Sequence, residues 1–275
     1  MRNPKISIII PVYNAEKTVG NILAKLTSQG YKNIEIIAVN DGSKDNSWKI
    51  LQKFSKKDKR IIAIDQKNAG ASVSRNVGIN KATGEFITFI DSDDDISDQL
   101  ILTLASQIKN NSDFIMCGMN INDKEIVAPN VFIKDKKLIT RYILKSLLTK
   151  NLLYGPCCKL FRRNIITDNK IEFPQAINYG EDTIFVLNYL HQVNNLTNIQ
   201  QSLYTYNFQL SGLASNNVTN NKFRQARSNA LNKYLANNSL PSNFYLYLLL
   251  RLRWAASLTK SLIKTKSSKK GHYEA

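Results

Sequence analysis

Two hydrophobic rhythms alternate along the first third of the chain. Short, nearly unbroken apolar runs occupy residues 5–12, 33–39, 60–65 and 85–90. Between them lie stretches with helical spacing, at residues 15–28, 45–55 and 71–81. Runs this short and this apolar predict buried strands, and their alternation with helices predicts βαβ units in a mainly parallel sheet. Each predicted strand ends in a polar or acidic loop, on the side where open α/β sheets bind ligands.

Past residue 95 the pattern loosens. A helix over 99–108 and a strand over 113–119 continue the α/β layer, followed by an exposed excursion over 123–137 and a helix over 138–148. Residues 181–191 predict another helix, whose Ile184, Phe185, Leu187 and Leu190 form a core-facing side. A strand is expected over 202–208, then helices over 220–235 and 242–263, and a mobile tail over 264–275.

A length of 275 residues suits one large domain, alone or with an appendage. Three cysteines, two of them adjacent at Cys157 and Cys158, fit neither a disulfide scaffold nor a metal knuckle, and suit a reducing cytosol. No secretory leader is read at Met1 to Lys5, and the longest apolar runs fall short of the roughly 18 residues of a membrane span. The net charge of +17 is uneven: after Asp182 a single acid, Glu274, faces eleven lysines and arginines. Such a surface attracts anionic lipid or nucleic acid, unless it reflects only a basic proteome and a solvated tail.

The chemistry concentrates where the run from Phe86 to Ile90 ends in Asp91-Ser92-Asp93-Asp94-Asp95. Four carboxylates in five positions repel one another unless cations or donors compensate. At a strand end they could hold a divalent metal against a diphosphate. The competing reading, a solvated acidic turn, suits Asp95 and Asp98 better than Asp91 and Asp93. Asp41-Gly42-Ser43 is an ordinary turn signal, so Asp41 either caps a turn or accepts the imide N–H of uracil. Arg75 is either a surface cation or ion-pair partner of the acidic cluster, or a fork that neutralises Asp91 or reaches a diphosphate. Glu181 and Asp182 sit in a first helical turn, where acids are favoured in any case. Lys159, Arg162 and Arg163 read as a solvated basic strand edge, unless Lys159 supports an acceptor wall. His191, Cys157 and Cys158 are expected to be structural.

Several of these stretches form a series: Ser7-Ile8-Ile9-Ile10-Pro11-Val12-Tyr13-Asn14, Val39-Asn40-Asp41-Gly42-Ser43, Asn68-Ala69-Gly70 with Ser74-Arg75-Asn76, and Phe89-Ile90-Asp91-Ser92-Asp93-Asp94. Lys159-Leu160-Phe161-Arg162-Arg163 and Gly180-Glu181-Asp182 follow. Each is common alone. In this order they resemble the successive motifs of the family 2 glycosyltransferases with the GT-A fold, of the bacterial surface-polysaccharide type. The resemblance implies a GT-A α/β catalytic domain over 1–210, with a donor nucleotide-binding half at 1–98 and an acceptor-side half at 99–210. A basic helical extension would occupy 211–275. The implied activity is inverting and metal-dependent: a hexose or N-acetylhexosamine moves from a nucleotide diphosphate sugar, a UDP-sugar, to a hydroxyl of a saccharide or lipid-linked acceptor.

By the same resemblance, Pro11, Tyr13 and Asn14 line the base pocket, Asp41 accepts from uracil, and Asp65 joins the base or ribose contacts. Asn68, Arg75, Asp91 and Ser92 complete the donor set. Asp93 with Asp91 holds Mn²⁺ or Mg²⁺, between which oxygen ligands do not choose. Asp182 is the general base, Glu181 orients the acceptor or a neighbouring loop, and Lys159 supports the acceptor wall.

Within the basic extension, residues 244–264 combine Trp254 and an apolar stripe with Arg251, Arg253, Lys260 and Lys264. Such a helix would lie on an anionic membrane surface, pack on the catalytic domain, or form a homodimer contact. Arg253-Trp254 resembles the end of the Q-x-x-R-W signature of processive relatives, but Leu250 replaces the glutamine, so a processive polymerase is not expected. The implied location is cytoplasmic, peripheral on the inner face of the cell membrane, in capsule, lipopolysaccharide or related glycan synthesis. Two other classes compete. A nucleotidyltransferase also needs metal and nucleotide, and would release pyrophosphate. A basic nucleic-acid-binding protein predicts interleaved aromatic and basic residues, whereas acids line this crevice, so no nucleic acid partner is expected. A catalytically dead subunit is disfavoured by the presence of Asp41, Asp91, Asp93 and Asp182 together.

Overall fold

In the computed structural model the described residues are 3–149, 152–153, 155–175 and 180–207. The first half consists of strands β1 (Ile6–Val12), β2 (Ile34–Asp41), β3 (Ile61–Gln66) and β4 (Phe86–Phe89). They are linked by helices α1 (Val19–Ser28), α2 (Ser47–Lys57) and α3 (Ala71–Lys81). The chain continues through β5 (Asp95–Ile96), α4 (Leu100–Ser106), β6 (Phe114–Ile121), β7 (Lys124–Ile126), β8 (Val131–Ile133) and α5 (Lys136–Thr149). Next come β9 (Lys159–Arg162), α6 (Arg163–Asp168), α7 (Glu181–Gln192) and β10 (Leu196–Tyr206).

Among the described residues these strands form one sheet in the order β3-β2-β1-β4-β9-β6-β10-β5, with β7 on β6 and β8 on β10. Strands β1 to β4 are mutually parallel, as the sequence pattern predicts. Beyond them the sheet is mixed, because β9 runs antiparallel to both β4 and β6. Two reversals return β6 to the direction of β4, and β10 is parallel to β6. The C-terminal ends of β1, β2, β3, β4, β6 and β10 therefore share one edge, and β9 enters from it.

Strand β2 is buried at every position, which is why its residues read as a run and not as an alternation. Ile8, Ile10 and Ile36 cluster with Ile22, Leu23 and Leu26 of α1 and Leu51 of α2. On the opposite face Gly78 lets α3 lie against β1; a Cβ there would stand 2.4 Å from Ile9 Cγ2. A second cluster is aromatic. Phe173 stacks on Phe185 at 3.9 Å, and Phe89 meets Phe161, Phe173 and Phe185 edge-on. Pairs of this kind add about 0.5–1.5 kcal/mol each beyond area burial. Here they fix α7 against β4 and β9, and so fix the start of α7.

Three local expectations change. The first helix begins at Val19, because Ser47 and Asp45 accept the N–H groups of Ala15 and Glu16 and hold that stretch as a turn. The excursion at 123–137 contains β7 and β8. Asn122 and Asp123 both adopt positive φ, 48° and 58°, and turn β6 into β7 as a two-residue hairpin. The basic stretch at 159–163 is an interior strand, not a solvated edge: Lys159 is wholly buried. Arg162 forms ion pairs with Glu85 and Asp113 and lies over the Phe86 ring, and Arg163 Nε donates to the Gly84 carbonyl. The boundary expected at 210, the helices at 220–235 and 242–263 and the tail lie outside the described residues.

At the sheet edge opposite the crevice, buried Glu35 accepts from Ser7 Oγ, from the N–H groups of Thr83 and Gly84, and from Lys5. Burial alone would raise its carboxyl, but Lys5, Ser7 and Thr83 hold it down at about 2. Its contribution is present above the ordinary carboxylate range and is lost as pH falls toward 2. Glu35→Gln is expected to destabilise the fold by about 2–3 kcal/mol in urea unfolding at neutral pH, with nucleotide binding unchanged.

Candidate active site

The acids at the end of β4 and the acids at the start of α7 meet through one arginine. Arg75, in α3, is buried, with its side chain 6% exposed. Its Nη2 donates to Asp91 Oδ1 at 2.8 Å and its Nη1 to Asp182 Oδ1 at 2.9 Å. The guanidinium lies over Phe173, 5.3 Å from the ring centroid, and Nε finds no hydrogen-bond partner among the described residues. Burial disfavours its charge, but Asp182 and Asp91 more than offset this and keep it protonated. The Asp91 pair considered for Arg75 forms, and it extends to Asp182 as well.

Asp182 and Glu181 occupy the first turn of α7, behind Gly180 at φ 87°. Desolvation pushes the Asp182 carboxyl up to about 7 in spite of Arg75, with Glu181 and Asp91 adding to the rise. A carboxylate held near neutrality can take a proton, as a general base must.

The 91–94 loop packs its acids closely. Asp91, Asp94 and Cys157 each place one ligand atom within 4.8 Å of the others. The Cys157 thiol donates to Asp91 Oδ2 at 3.6 Å, and burial followed by the charges of Asp91 and Asp94 holds it protonated. Desolvation and then Asp91 raise both Asp93 and Asp94, the latter to about 8. Carboxyls raised this way mark an excess of negative charge that a cation would relieve. Asp93 is exposed and stands outside the three-residue group, whereas Asp91 belongs to it. Ser92 is buried between them.

The donor-side loops are built from long-range hydrogen bonds. Asp41, almost fully buried, accepts from Gln66 Nε2 and from the N–H groups of Ala69 and Gly70. Asn68 Nδ2 donates to the Asp41 carbonyl. Asp41 thus pins the 66–70 loop. Asp65 accepts from Asn40 Nδ2, and the buried Asn40 Oδ1 has no partner among the described residues. Pro11 lies within β1, Tyr13 just beyond it is 46% exposed, and Asn14 at φ 49° accepts from the Lys44 N–H. Lys159 Nζ donates to the Cys157 carbonyl, so it supports that turn from behind and presents no surface to an acceptor.

A family model described as glycosyl transferase family 2 matches residues 7–169. The chain belongs to glycosyl transferase family 2. The matched segment of this family-2 chain holds Asp41, Arg75 and the 91–94 loop, but not Asp182. Glycosyltransferase GlyA of Streptococcus pneumoniae serotype 4 is 48% identical over 104 residues, 38% of this chain and 15% of that protein. The uncharacterized glycosyltransferase EpsJ of Bacillus subtilis is 30% identical over 212 residues, 74% of this chain. The chain spans 61% of EpsJ. A crystal structure of S. aureus TarS 1-349 in complex with UDP-GlcNAc superposes with a TM-score of 0.68 at 24% identity, over 84% of this chain and 66% of that one. That likeness bears out the GT-A fold.

Sequence reasoning missed three contributors to this family-2 site. Cys157 was expected only to pack, and Tyr204 and Asn207 were placed no further than on or near a strand. Nothing local marks them, since each meets the acid loop through the sheet. Asp94 is grouped with Asp91 by the geometry.

Proposed function

We propose that this chain is an inverting, metal-dependent glycosyltransferase that moves a sugar from a UDP-sugar to a hydroxyl of a saccharide or lipid-linked acceptor. The observation that carries the reading is the Arg75 bridge, which brings a donor-side acid, Asp91, and an acceptor-side acid, Asp182, to one guanidinium. TarS, of the same fold, binds UDP-GlcNAc, which favours a uridine donor.

The donor would enter at the shared strand edge, with Tyr13, Asn14 and the loop pinned by Asp41 around the base and Asp65 near the ribose. The crowded carboxylates fit a divalent cation: Asp91 and Asp94, with Cys157 beside them, gather ligand atoms at one point, and the neighbouring Asp93 would add a further hard oxygen for Mn²⁺ or Mg²⁺. When bound, that cation would neutralise the diphosphate and the charge that develops on it. Asp182 takes the proton of the acceptor hydroxyl as its oxygen attacks the anomeric carbon opposite the leaving group. Attack from that side inverts the anomeric configuration. Glu181 orients the acceptor, and Arg75 holds Asp182 in place.

Among the described residues no helix is long and apolar enough to cross a membrane. The net charge of +17 supports placement against anionic lipid on the cytoplasmic face. We assign 1–210 to catalysis and the basic 211–275 to contact with the membrane, the catalytic domain or a second copy.

The test is a screen of UDP-sugars with Mn²⁺ and simple saccharide acceptors, reading nucleoside diphosphate release. Release should depend on metal, fall to background with EDTA, and rise with acceptor. Pyrophosphate as the product would establish a nucleotidyltransferase instead.

A further inference from the structure

The 91–94 loop is strapped to a strand more than a hundred residues away in sequence. After it the chain runs directly into β5, which pairs antiparallel with Tyr204 and Thr205 of β10, and the Ser97 N–H donates to the Leu203 carbonyl. Strand β10 reaches this loop through irregular register: its pairing with β6 shifts between Ile199 and Ser202, and again between Ser202 and Tyr204. Extra residues on one strand bend it and re-aim its side chains.

The re-aimed side chain is Tyr204, 1% exposed. Its phenolic oxygen accepts the Asp91 N–H at 3.2 Å and donates to Asp94 Oδ2 at 2.5 Å. Just beyond β10, the Asn207 N–H donates to Asp94 Oδ1 at 2.9 Å, and its Nδ2 donates to the Asp93 carbonyl at 2.9 Å. Four hydrogen bonds from two residues thus hold Asp91, Asp93 and Asp94. Both oxygens of Asp94 are engaged, while the Asp93 carboxylate is left exposed. Repulsion among the carboxylates would open an unsupported loop, and these bonds oppose it.

We propose that Tyr204 and Asn207 are positioning residues that hold the 91–94 loop in the shape that receives the donor's diphosphate and its divalent cation. The ligand in this statement rests on the function proposed above; the hold on the loop does not. Neither residue is a catalytic group. Their effect is preorganisation, so that binding the donor need not order the loop.

The test uses Tyr204→Phe, which keeps the buried ring and removes one oxygen, and Asn207→Ala, at an exposed position that retains the backbone donor. Hydrogen exchange of peptides covering residues 91–96, without metal, should quicken in both variants, while β1 and β2 stay protected. Mn²⁺ binding in the presence of UDP, read by electron paramagnetic resonance, should weaken about tenfold or more in Tyr204→Phe and less in Asn207→Ala. The donor KM should rise more than kcat falls.

Unchanged exchange in both variants overturns the proposal, whatever the activity. Faster exchange with unchanged Mn²⁺ affinity also overturns it and leaves Tyr204 a packing residue. If Tyr204→Phe fails to fold, Asn207→Ala decides by the same readings. A wild-type chain that binds neither Mn²⁺ nor UDP defeats the glycosyltransferase reading itself, a result distinct from failure of the strap.

Discussion

Asp182→Asn is expected to lower kcat about a thousandfold, within the 10²–10⁴ range of a lost general base, and to leave donor affinity within a few-fold. The asparagine keeps the shape and an oxygen for Arg75, but it cannot accept the acceptor's proton. Donor contacts are assigned to the ends of β1 to β4, so nucleotide binding by calorimetry should survive. The pH profile carries the same claim. The Asp182 carboxyl sits at about 7 in the free protein, well above its ordinary value, because desolvation outweighs Arg75. The base is active when ionised. The wild-type rate should therefore rise with pH, close to tenfold per unit on the acid side, and level off above about 7. The variant should lose that limb. Near-normal turnover in Asp182→Asn, or an unaltered acid limb, would remove the residue from the reaction.

Arg75→Met is expected to damage stability and activity together. The substitution keeps much of the apolar stem but leaves Asp91 and Asp182 facing each other without their shared cation. Removing one partner of a buried ion pair costs about 3–5 kcal/mol. Asp91 and Asp182 are 25% and 30% exposed, so water screens part of this, and about 2–3 kcal/mol is the expected loss. Urea unfolding measures it. Transfer should fall by at least a hundredfold even in the folded fraction, because Asp182 loses its tether. Arg75→Lys should keep the charge yet recover little, since one ammonium cannot span both carboxylates as a fork does. A folded Arg75→Met enzyme with normal kcat would show that the bridge only stabilises the resting protein.

Much of the fold is legible in local pattern. The buried runs of β1, β2 and β4 announce themselves as short stretches rich in isoleucine, valine and phenylalanine, and α3 begins and ends where its spacing predicts. The hairpin at Asn122-Asp123 was written in the chain but overlooked, because its second strand, β7, is only three residues long and largely exposed. Lys159 misled for a related reason. A lysine among arginines suggests solvent, and only pairing on both sides of β9 buries it. The carboxylates of the site were readable as well, since Asp91, Asp93 and Asp182 stand in motifs that follow one another in order. Their partners were not, because Cys157, Tyr204 and Asn207 are ordinary residues in their own neighbourhoods.

By itself the sequence determined the alternating strands and helices of the first half, which strand ends carry acids, and to which family the chain belongs. Those properties depend on side-chain periodicity and on short ordered motifs, both local along the chain. Only the tertiary structure decided that Arg75 joins Asp91 to Asp182, that Asp41 holds the 66–70 loop, and that β10 reaches across the sheet to the acid loop. These are encounters between residues far apart in sequence, set by strand order, by the reversal at β9 and by a register shift in β10. A hydrogen bond depends on a few tenths of an ångström, and no local pattern encodes distance between segments that only folding brings together.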